Sequence, residues 1–177
     1  KEVMKMPHKN IAVELLQKLI NDEIKSKFRT NVVKQRKFSE LLKNALTKYQ
    51  NRSIEAAQVI AELIEMANDF KKDLERADSR GLSKSEEAFY DALSNNKSAE
   101  DLMGEDALVN IAKEIADKLR KNTTIDWSVR DSVRAKIRLL IKTLLRKYKY
   151  PPDNSSAPSP FNTTLQSVVS LIYLEIK

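Results

Sequence analysis

Residues 53–76 read SIEAAQVIAELIEMANDFKKDLER, and this stretch indicates the fold class more clearly than any other. At helical spacing, apolar side chains cover more than half of its circumference: Ile54, Val59, Ile60, Leu63, Ile64, Met66, Phe70 and Leu74. The remaining narrow arc collects polar residues at i, i+3, i+4 and i+7: Glu55, Gln58, Glu62, Glu65 and Asp69. Helices that are apolar on most sides are buried among other helices. We therefore predict a central bundle helix with one acidic stripe facing solvent.

Residues that interrupt helices are almost absent on both sides of this stretch. The 143 residues from His8 to Tyr150 contain no proline, and the whole chain has only two glycines, Gly81 and Gly104. Because proline and glycine are the strongest helix breakers, we predict an all-α fold, a single bundle of about six to eight helices. A first helix should bury a stripe formed by Ile11, Leu15, Leu16 and Leu19. A second, over about residues 33–49, should turn inward Phe38, Leu41, Leu42 and Leu46.

Capping signals and apolar spacing place the later helices. Gly81 suits a helix C-terminus, and Ser83 with Glu86 forms a capping box for the next helix, which contains Phe89, Tyr90 and Leu93. A helix over about 105–120 should bury Leu108, Ile111, Ile115 and Leu119. The last long helix, capped by Asp126 or Ser128 and ending near Lys147, has a core stripe of Val129, Val133, Ile137, Leu140, Ile141 and Leu144.

The C-terminal residues differ in composition from the rest of the chain. Four of the five prolines fall between Pro151 and Pro160, so residues 154–160 are predicted to be a flexible Pro/Ser connector. The connector separates a helical domain, residues 1–153, from a final element, residues 161–177. Leu165, Val168, Val169 and Ile172 have helical spacing within that element, although its β-branched pairs also suit a strand.

The composition offers little for catalysis. The chain has no cysteine and a single histidine, His8, so thiol nucleophiles, disulfides and Cys or His metal centres are excluded. Neither glycine belongs to a phosphate-binding loop. We therefore predict no catalytic residue, no metal and no cofactor. No apolar stretch approaches the roughly 20 residues that cross a bilayer, which predicts a cytoplasmic protein without membrane contact.

Three motifs could be taken for functional sites. Asp153, Glu175 and Lys177 match the PD…ExK pattern of metal-dependent nucleases, but their usual setting is a mixed sheet that this sequence does not predict. We interpret the match as coincidental. We interpret the acidic stripe of residues 53–76 as a solvated face rather than a cation site. Trp127 and Tyr90 could stack on bases, but each lies within an apolar pattern and is interpreted as a core or edge residue.

Charge is distributed in blocks. Residues 25–52 carry a net charge of +8, residues 53–127 a net charge of −7, and residues 128–150 a net charge of +7. Within the second basic block a row recurs every four residues: Arg130, Arg134, Arg138, Lys142 and Arg146. This row is the candidate contact with DNA or a protein partner, and its alternative role is pairing with the acidic middle. Arg130 and Arg134 lie closest in angle to the core stripe, so the other three are the stronger candidates.

Several ordered blocks resemble the C-terminal helical region of type I restriction enzyme R subunits. These blocks are residues 49–60 (YQNRSIEAAQVI), 82–93 (LSKSEEAFYDAL), 121–136 (KNTTIDWSVRDSVRAK) and 144–153 (LLRKYKYPPD). Residues 21–24 and 36–40 fit the same pattern, so the resemblance covers about residues 10–153. It departs from the family at Lys149, where glycine is expected between the two tyrosines, and after Asp153.

The resemblance implies a role in a multisubunit complex. In that family the R subunit is an ATP-dependent motor and nuclease, and its catalytic centres lie upstream of the region matched here. The implied function is non-catalytic: docking the R subunit onto the methyltransferase core, with contact to double-stranded DNA as an alternative role. The implied partners are the methyltransferase and specificity subunits, together with the rest of the R subunit.

Overall fold

The computed structural model describes residues 8–122, 131–151, 164 and 167–171, with side chains described for all of these except 122 and 131–134. Six α-helices follow one another within them: α1 (Lys9–Lys27), α2 (Val32–Gln50), α3 (Ala56–Ser79), α4 (Lys84–Ser94), α5 (Lys97–Asn122) and α6 (Asp131–Lys147). Residues 164 and 167–171 are also helical, and the described part of the chain contains no strand. The all-α prediction is confirmed.

The described residues form two compact units, each with its own core. The first unit comprises the described residues of Lys1–Arg29 and Lys34–Gly81. Its core includes three phenylalanines, with the Phe28 ring centroid 5.5 Å from that of Phe38 and 4.8 Å from that of Phe70. Around them lie the buried residues of α1 and α3: Ala12, Val13, Leu16, Ile20, Ile24, Val59, Ile60, Leu63 and Met66.

The predicted buried stripe of α1 is wrong at three of its four positions. Ile11 is 54% exposed, Leu15 41% and Leu19 52%, whereas Leu16 is buried. The apolar residues of α1 extend over a wider arc than its neighbours cover, and the covered part is centred on Leu16 and Ile20 instead. Leu41 on α2 was also predicted to face inward, but it is 45% exposed because α2 buries the face formed by Phe38, Leu42 and Ala45.

The second unit comprises the described residues of Thr30–Val33 and Leu82–Lys177. The four core positions predicted for the helix over 105–120 are all buried, and so are Phe89, Tyr90 and Leu93 of α4. The helical φ/ψ pattern of α5 is broken at Gly104, whose φ of 75° separates a first segment from the predicted helix that starts at Glu105. From α6, the unit buries Ile137, Ile141, Leu144 and Leu145.

Helix ends follow the predicted capping chemistry. The backbone N–H of Ser83 donates to Glu86 Oε2 at 2.8 Å, and the N–H of Glu86 donates to Ser83 Oγ at 3.4 Å, so the capping box is confirmed. Gly81 follows α3 with a φ of 61°, the left-handed conformation that glycine adopts readily. The positive φ of Gly81 lets the chain reverse between the end of α3 at Ser79 and the start of α4 at Lys84.

The residues that follow α6 form hydrogen bonds with α4 and with the loop after it. Tyr150 is buried, and its hydroxyl donates a hydrogen bond of 2.6 Å to the carbonyl oxygen of Leu93. The Asn96 side chain also donates to the Pro151 carbonyl oxygen at 3.1 Å. These two hydrogen bonds set the position of the C-terminal turn of α6 relative to the core of the second unit.

Candidate interaction surface on helix α6

Three members of the predicted basic row have described side chains. Arg138 and Arg146 are exposed, and Lys142 is half-buried. None of these three forms an ion pair with another residue in the described part of the chain. Arg130 lies outside the described residues, and Arg134 lies in α6 without a described side chain.

The exposed face of α6 is basic throughout its described length. Residues 135–147 contain five cationic side chains and no acidic one: Lys136, Arg138, Lys142, Arg146 and Lys147. Leu139 stands among them with 65% of its surface exposed. Helical spacing places Lys136 and Lys147 on one side of Leu139, and the three members of the predicted row on the other. The face is therefore an apolar side chain between two lines of cations.

A shallow groove of about 340 Å³ runs beside Leu139, where α6 packs against α5. Its floor is formed by Leu139, Leu140 and Leu144, which belong to α6. Its edges carry Lys118 of α5 and, from α6, Lys136, Thr143 and Lys147. We call this feature the α5/α6 groove, and it combines an apolar floor with three ammonium groups at its edges.

One carboxylate organises the cations at an edge of the groove. Glu114 of α5 accepts hydrogen bonds from Lys147 Nζ at 2.9 and 3.0 Å and another from the hydroxyl of Tyr148. Lys118 Nζ lies 4.0 Å from Glu114 Oε1. The hydrogen bond from Tyr148, followed by that from Lys147, lowers the pKa of Glu114. Correspondingly, Glu114 raises the pKa of Lys147 and of Tyr148.

Part of the basic charge pairs within the fold, as the alternative interpretation of the charge blocks expected. Lys34 and Lys48 of the first basic block lie 3.5 Å from Asp73 Oδ2 and 3.3 Å from Glu62 Oε1, respectively. Lys147 of the second block pairs with Glu114. Internal pairing thus applies to these lysines, and it does not extend to the described members of the predicted row.

The other motifs do not assemble into a site among the described residues. No group of three or more His, Cys, Asp or Glu side chains there is placed to hold a metal ion. Tyr90 is only 5% exposed, so it is a core residue rather than a stacking platform. Trp127 and the three nuclease-like residues Asp153, Glu175 and Lys177 lie outside the described residues. In the described part of the chain, no helix has the length and apolar character that a membrane span requires.

The sequence did not predict three of the cations on this surface: Lys118, Lys136 and Lys147. Lys136 and Lys147 stand eleven positions apart on α6, outside the every-fourth-residue row, and Lys118 belongs to another helix. The signal that could have found them is the absence of any acidic residue between positions 132 and 150. A contact between α5 and α6 was needed to bring Lys118 beside Lys147.

The comparisons with known proteins agree on one family. A family model described as type I restriction enzyme HindI endonuclease subunit-like, C-terminal, matches residues 1–159. The type I restriction enzyme HindI endonuclease subunit of Haemophilus influenzae is 46% identical over 151 residues, which cover 85% of this chain and 14% of that protein. A Methanocaldococcus jannaschii protein, named for the endonuclease subunit of the type I restriction enzyme MjaIXP, is 32% identical over 147 residues, 82% of this chain and 14% of that protein.

The alignments cover most of this chain but only a small part of each relative. No solved structure shows significant similarity to the chain. The aligned region spans about one seventh of the length of each of the two relatives. The resemblance inferred from the ordered sequence blocks is confirmed.

Proposed function

We propose a docking function for this chain, which belongs to the family of type I restriction enzyme HindI endonuclease subunit-like C-terminal domains. In this proposal the chain is a non-catalytic part of an R subunit. It attaches the ATP-dependent motor and nuclease to the methyltransferase and specificity subunits of a type I restriction complex, in the cytoplasm. The observation that carries the proposal is the α6 face, where cations flank an exposed leucine and four of them, Lys136, Arg138, Lys142 and Arg146, form no ion pair with another described residue.

A non-catalytic role is supported by the residue types of the chain. The chain has no cysteine and one histidine, so the commonest nucleophile–base pairs cannot be built from it. Two described carboxylates have a clearly shifted pKa: the backbone hydrogen bond from Ser83 lowers the pKa of Glu86, and hydrogen bonds from Tyr148 and Lys147 lower the pKa of Glu114. Such a carboxylate is a poor general base at neutral pH, since efficient bases titrate near the working pH.

The α6 face has the composition of a protein-binding surface. Protein interfaces combine a few apolar or aromatic anchors with a polar rim. Leu139 provides an anchor that is already exposed, and the cations on either side of it provide the rim. Because the described members of the predicted row have no ion pair with another described residue, a partner's acidic groups compete with no described carboxylate there.

A specific observation favours a second candidate function, contact with the DNA backbone. Five cations without an acidic neighbour along residues 135–147 are the electrostatic signature of a phosphate-binding helix. In this candidate function the cations follow the phosphate backbone and do not read the base sequence. The two functions are compatible, since a docking domain can also line a DNA path.

A deletion tests the docking function. Full-length R subunit and a subunit lacking these 177 residues are each used to recover the methyltransferase core from a purified mixture. We expect the deletion to abolish or strongly reduce recovery. Equal recovery of the core by both proteins would refute the docking function.

A triple variant, Arg138→Gln, Lys142→Gln and Arg146→Gln, tests the α6 row against DNA. Loss of three phosphate contacts should reduce the slope of log affinity against log salt by about 2.7, at about 0.9 per contact, for duplexes of any sequence. The matched control changes three exposed cations of α3, Lys71, Lys72 and Arg76, to glutamine, with the same loss of charge. Unchanged DNA affinity at low salt, in a folded triple variant, would remove the DNA candidate for this helix.

A further inference from the structure

We propose that the α5/α6 groove binds an acidic, amphipathic helix of a protein partner. This inference rests on the proposed docking function, and it specifies the place and the chemistry of the contact. The partner helix would set apolar side chains against Leu139, Leu140 and Leu144. Its acidic side chains would meet the lysines at the edges of the groove.

The dimensions of the groove suit a short helix. Its lining residues on α6 extend from Lys136 to Lys147, an interval of eleven residues. At 1.5 Å per residue this interval is about 16 Å long, or about three helical turns. The apolar floor consists of side chains at i, i+1 and i+5, so it follows one side of α6. A partner helix lying along α6 presents its own i, i+3, i+4 and i+7 positions to such a floor.

The charges around the groove favour an acidic occupant. Lys118, Lys136 and Lys147 together with Glu114 leave a net charge of +2 at its edges. Lys136 forms no ion pair with another described residue, and Arg138, Lys142 and Arg146 add three more cations on the far side of Leu139. A basic partner would be repelled along residues 136–147 of α6, whereas carboxylates would be attracted from both sides.

Glu114 prepares the groove for such a partner. It holds Lys147 Nζ within 2.9 Å and Lys118 Nζ within 4.0 Å of the same carboxylate oxygen, so the two ammonium groups stand on one edge. Because Lys147 and Tyr148 are already ordered by Glu114, less side-chain freedom is lost when a partner binds. Each ammonium group has three donors, so it can bind a partner carboxylate while keeping its contact with Glu114.

Leu139 distinguishes a protein helix from DNA as the occupant. A phosphate backbone gains nothing from an exposed leucine, because phosphate contacts depend on cations and hydrogen-bond donors. A protein helix removes the leucine side chain from water. Truncation of Leu139 should therefore weaken binding of a protein partner and leave DNA affinity unchanged.

The test compares Leu139→Ala with Leu102→Ala in full-length R subunit. Leu102 lies on α5 outside the groove and is 76% exposed, so both changes remove an exposed leucine from the same unit. The probe is the methyltransferase–specificity core, and the dissociation constant is measured at constant salt. We expect Leu139→Ala to weaken binding about tenfold, as for an interface anchor, and Leu102→Ala to stay within about twofold of wild type.

The outcomes separate the groove from the docking function. If the core binds wild type and both variants equally, the groove proposal is overturned and the docking function stands. If wild type does not bind the core, the docking function itself fails. If Leu139→Ala weakens binding to a 20-base-pair duplex as much as binding to the core, the occupant is not a protein helix, and the proposal is also overturned. Circular dichroism verifies that both variants remain folded.

Cross-linking identifies the occupant directly. Because this chain has no cysteine, Leu139→Cys in a subunit free of other reactive cysteines gives one site for a benzophenone maleimide. We expect irradiation of the complex with the core to cross-link an acidic peptide with apolar residues at helical spacing. A cross-link to a basic peptide or to DNA would contradict the proposal. The absence of any cross-link while the core is bound would contradict it as well.

Discussion

Replacing Lys149 by glycine should stabilise the second unit. Lys149 has a φ of 52°, in the left-handed region, and its side chain is exposed. It follows α6 in a Schellman motif: the N–H of Tyr150 donates to the Leu145 carbonyl oxygen at 2.9 Å, and the N–H of Lys149 donates to that of Arg146 at 3.0 Å. Glycine, which the family resemblance leads us to expect at this position, adopts this conformation without strain.

The magnitude follows from two opposing effects. A residue other than glycine loses about 1–2 kcal/mol in the left-handed region, because its Cβ approaches the following carbonyl oxygen. Glycine relieves that strain, but it also makes the unfolded chain more flexible, which costs about 0.4–1 kcal/mol. The net stabilisation should be about 0.5–1 kcal/mol. For a chain of this size it raises the midpoint of thermal unfolding by about 1–4 °C.

The assay is thermal unfolding followed by circular dichroism at 222 nm. Lys113→Gly is the matched control, because Lys113 is exposed in the middle of α5 and glycine there should cost about 1 kcal/mol. The same replacement of lysine by glycine is thus expected to raise the unfolding midpoint at position 149 and to lower it at position 113. A lower midpoint for Lys149→Gly than for wild type would refute the strain argument.

The first unit offers an independent repeat of this test. Arg52 has a φ of 54° and ends α2 in the same motif, with the N–H of Ser53 donating to the Lys48 carbonyl oxygen at 2.9 Å. Gly81 gives the reverse case, since its φ is 61° and nothing lies within 4 Å of an added Cβ. Gly81→Ala should therefore lose stability through its backbone conformation alone.

Two further predictions concern the ion pairs that hold each unit together. Asp73→Ala should lower stability in urea unfolding by about 1–3 kcal/mol, because the Lys34 side chain is 7% exposed and loses a carboxylate oxygen 3.5 Å from its Nζ. The pKa of Glu114 is lowered from 4.5, so its contribution to stability is present above pH 4.5 and is lost as the pH falls through the lowered pKa. The difference in unfolding midpoint between wild type and Glu114→Gln should therefore shrink below about pH 4.5 and stay constant from about pH 5 to 9. If Asp73→Ala lowers the free energy of unfolding by less than about 0.5 kcal/mol, the argument for the Lys34–Asp73 pair is wrong. If the difference in unfolding midpoint between wild type and Glu114→Gln grows in acid, the argument for Glu114 is wrong.

Local signals were sufficient to predict the helices and their ends. A proline-free interval, apolar spacing near 3.6 residues and the Ser83–Glu86 pair each act within a few residues of the chain. Such signals do not depend on which helix packs against which. For this reason the capping box of α4 and the four core positions named for α5 were predicted correctly.

Burial on α1 was not predictable in the same way. Its apolar arc is wide, and only tertiary packing determines which part of that arc is covered. The covered part centres on Leu16 and Ile20, so Ile11 and Leu19 remain exposed despite their apolar character. A similar limit applies to the candidate site: the spacing of Arg138, Lys142 and Arg146 was visible in the sequence, but the groove and its exposed leucine were not.

The packing of α5 against α6 explains which cations of the second basic block are available to a partner. Lys147 faces α5 and is bound by Glu114, thirty-three residues away in sequence. Arg138 and Arg146 lie across the exposed Leu139 from Lys147, away from Glu114, and form no ion pair with another described residue. One helix therefore uses a cation on one side for its own packing and keeps cations on the other side free of described acidic partners. Because Leu139 lies between these two sides, a partner that buries it must also approach both lines of charge, which is why apolar truncation and charge neutralisation should act on the same binding event.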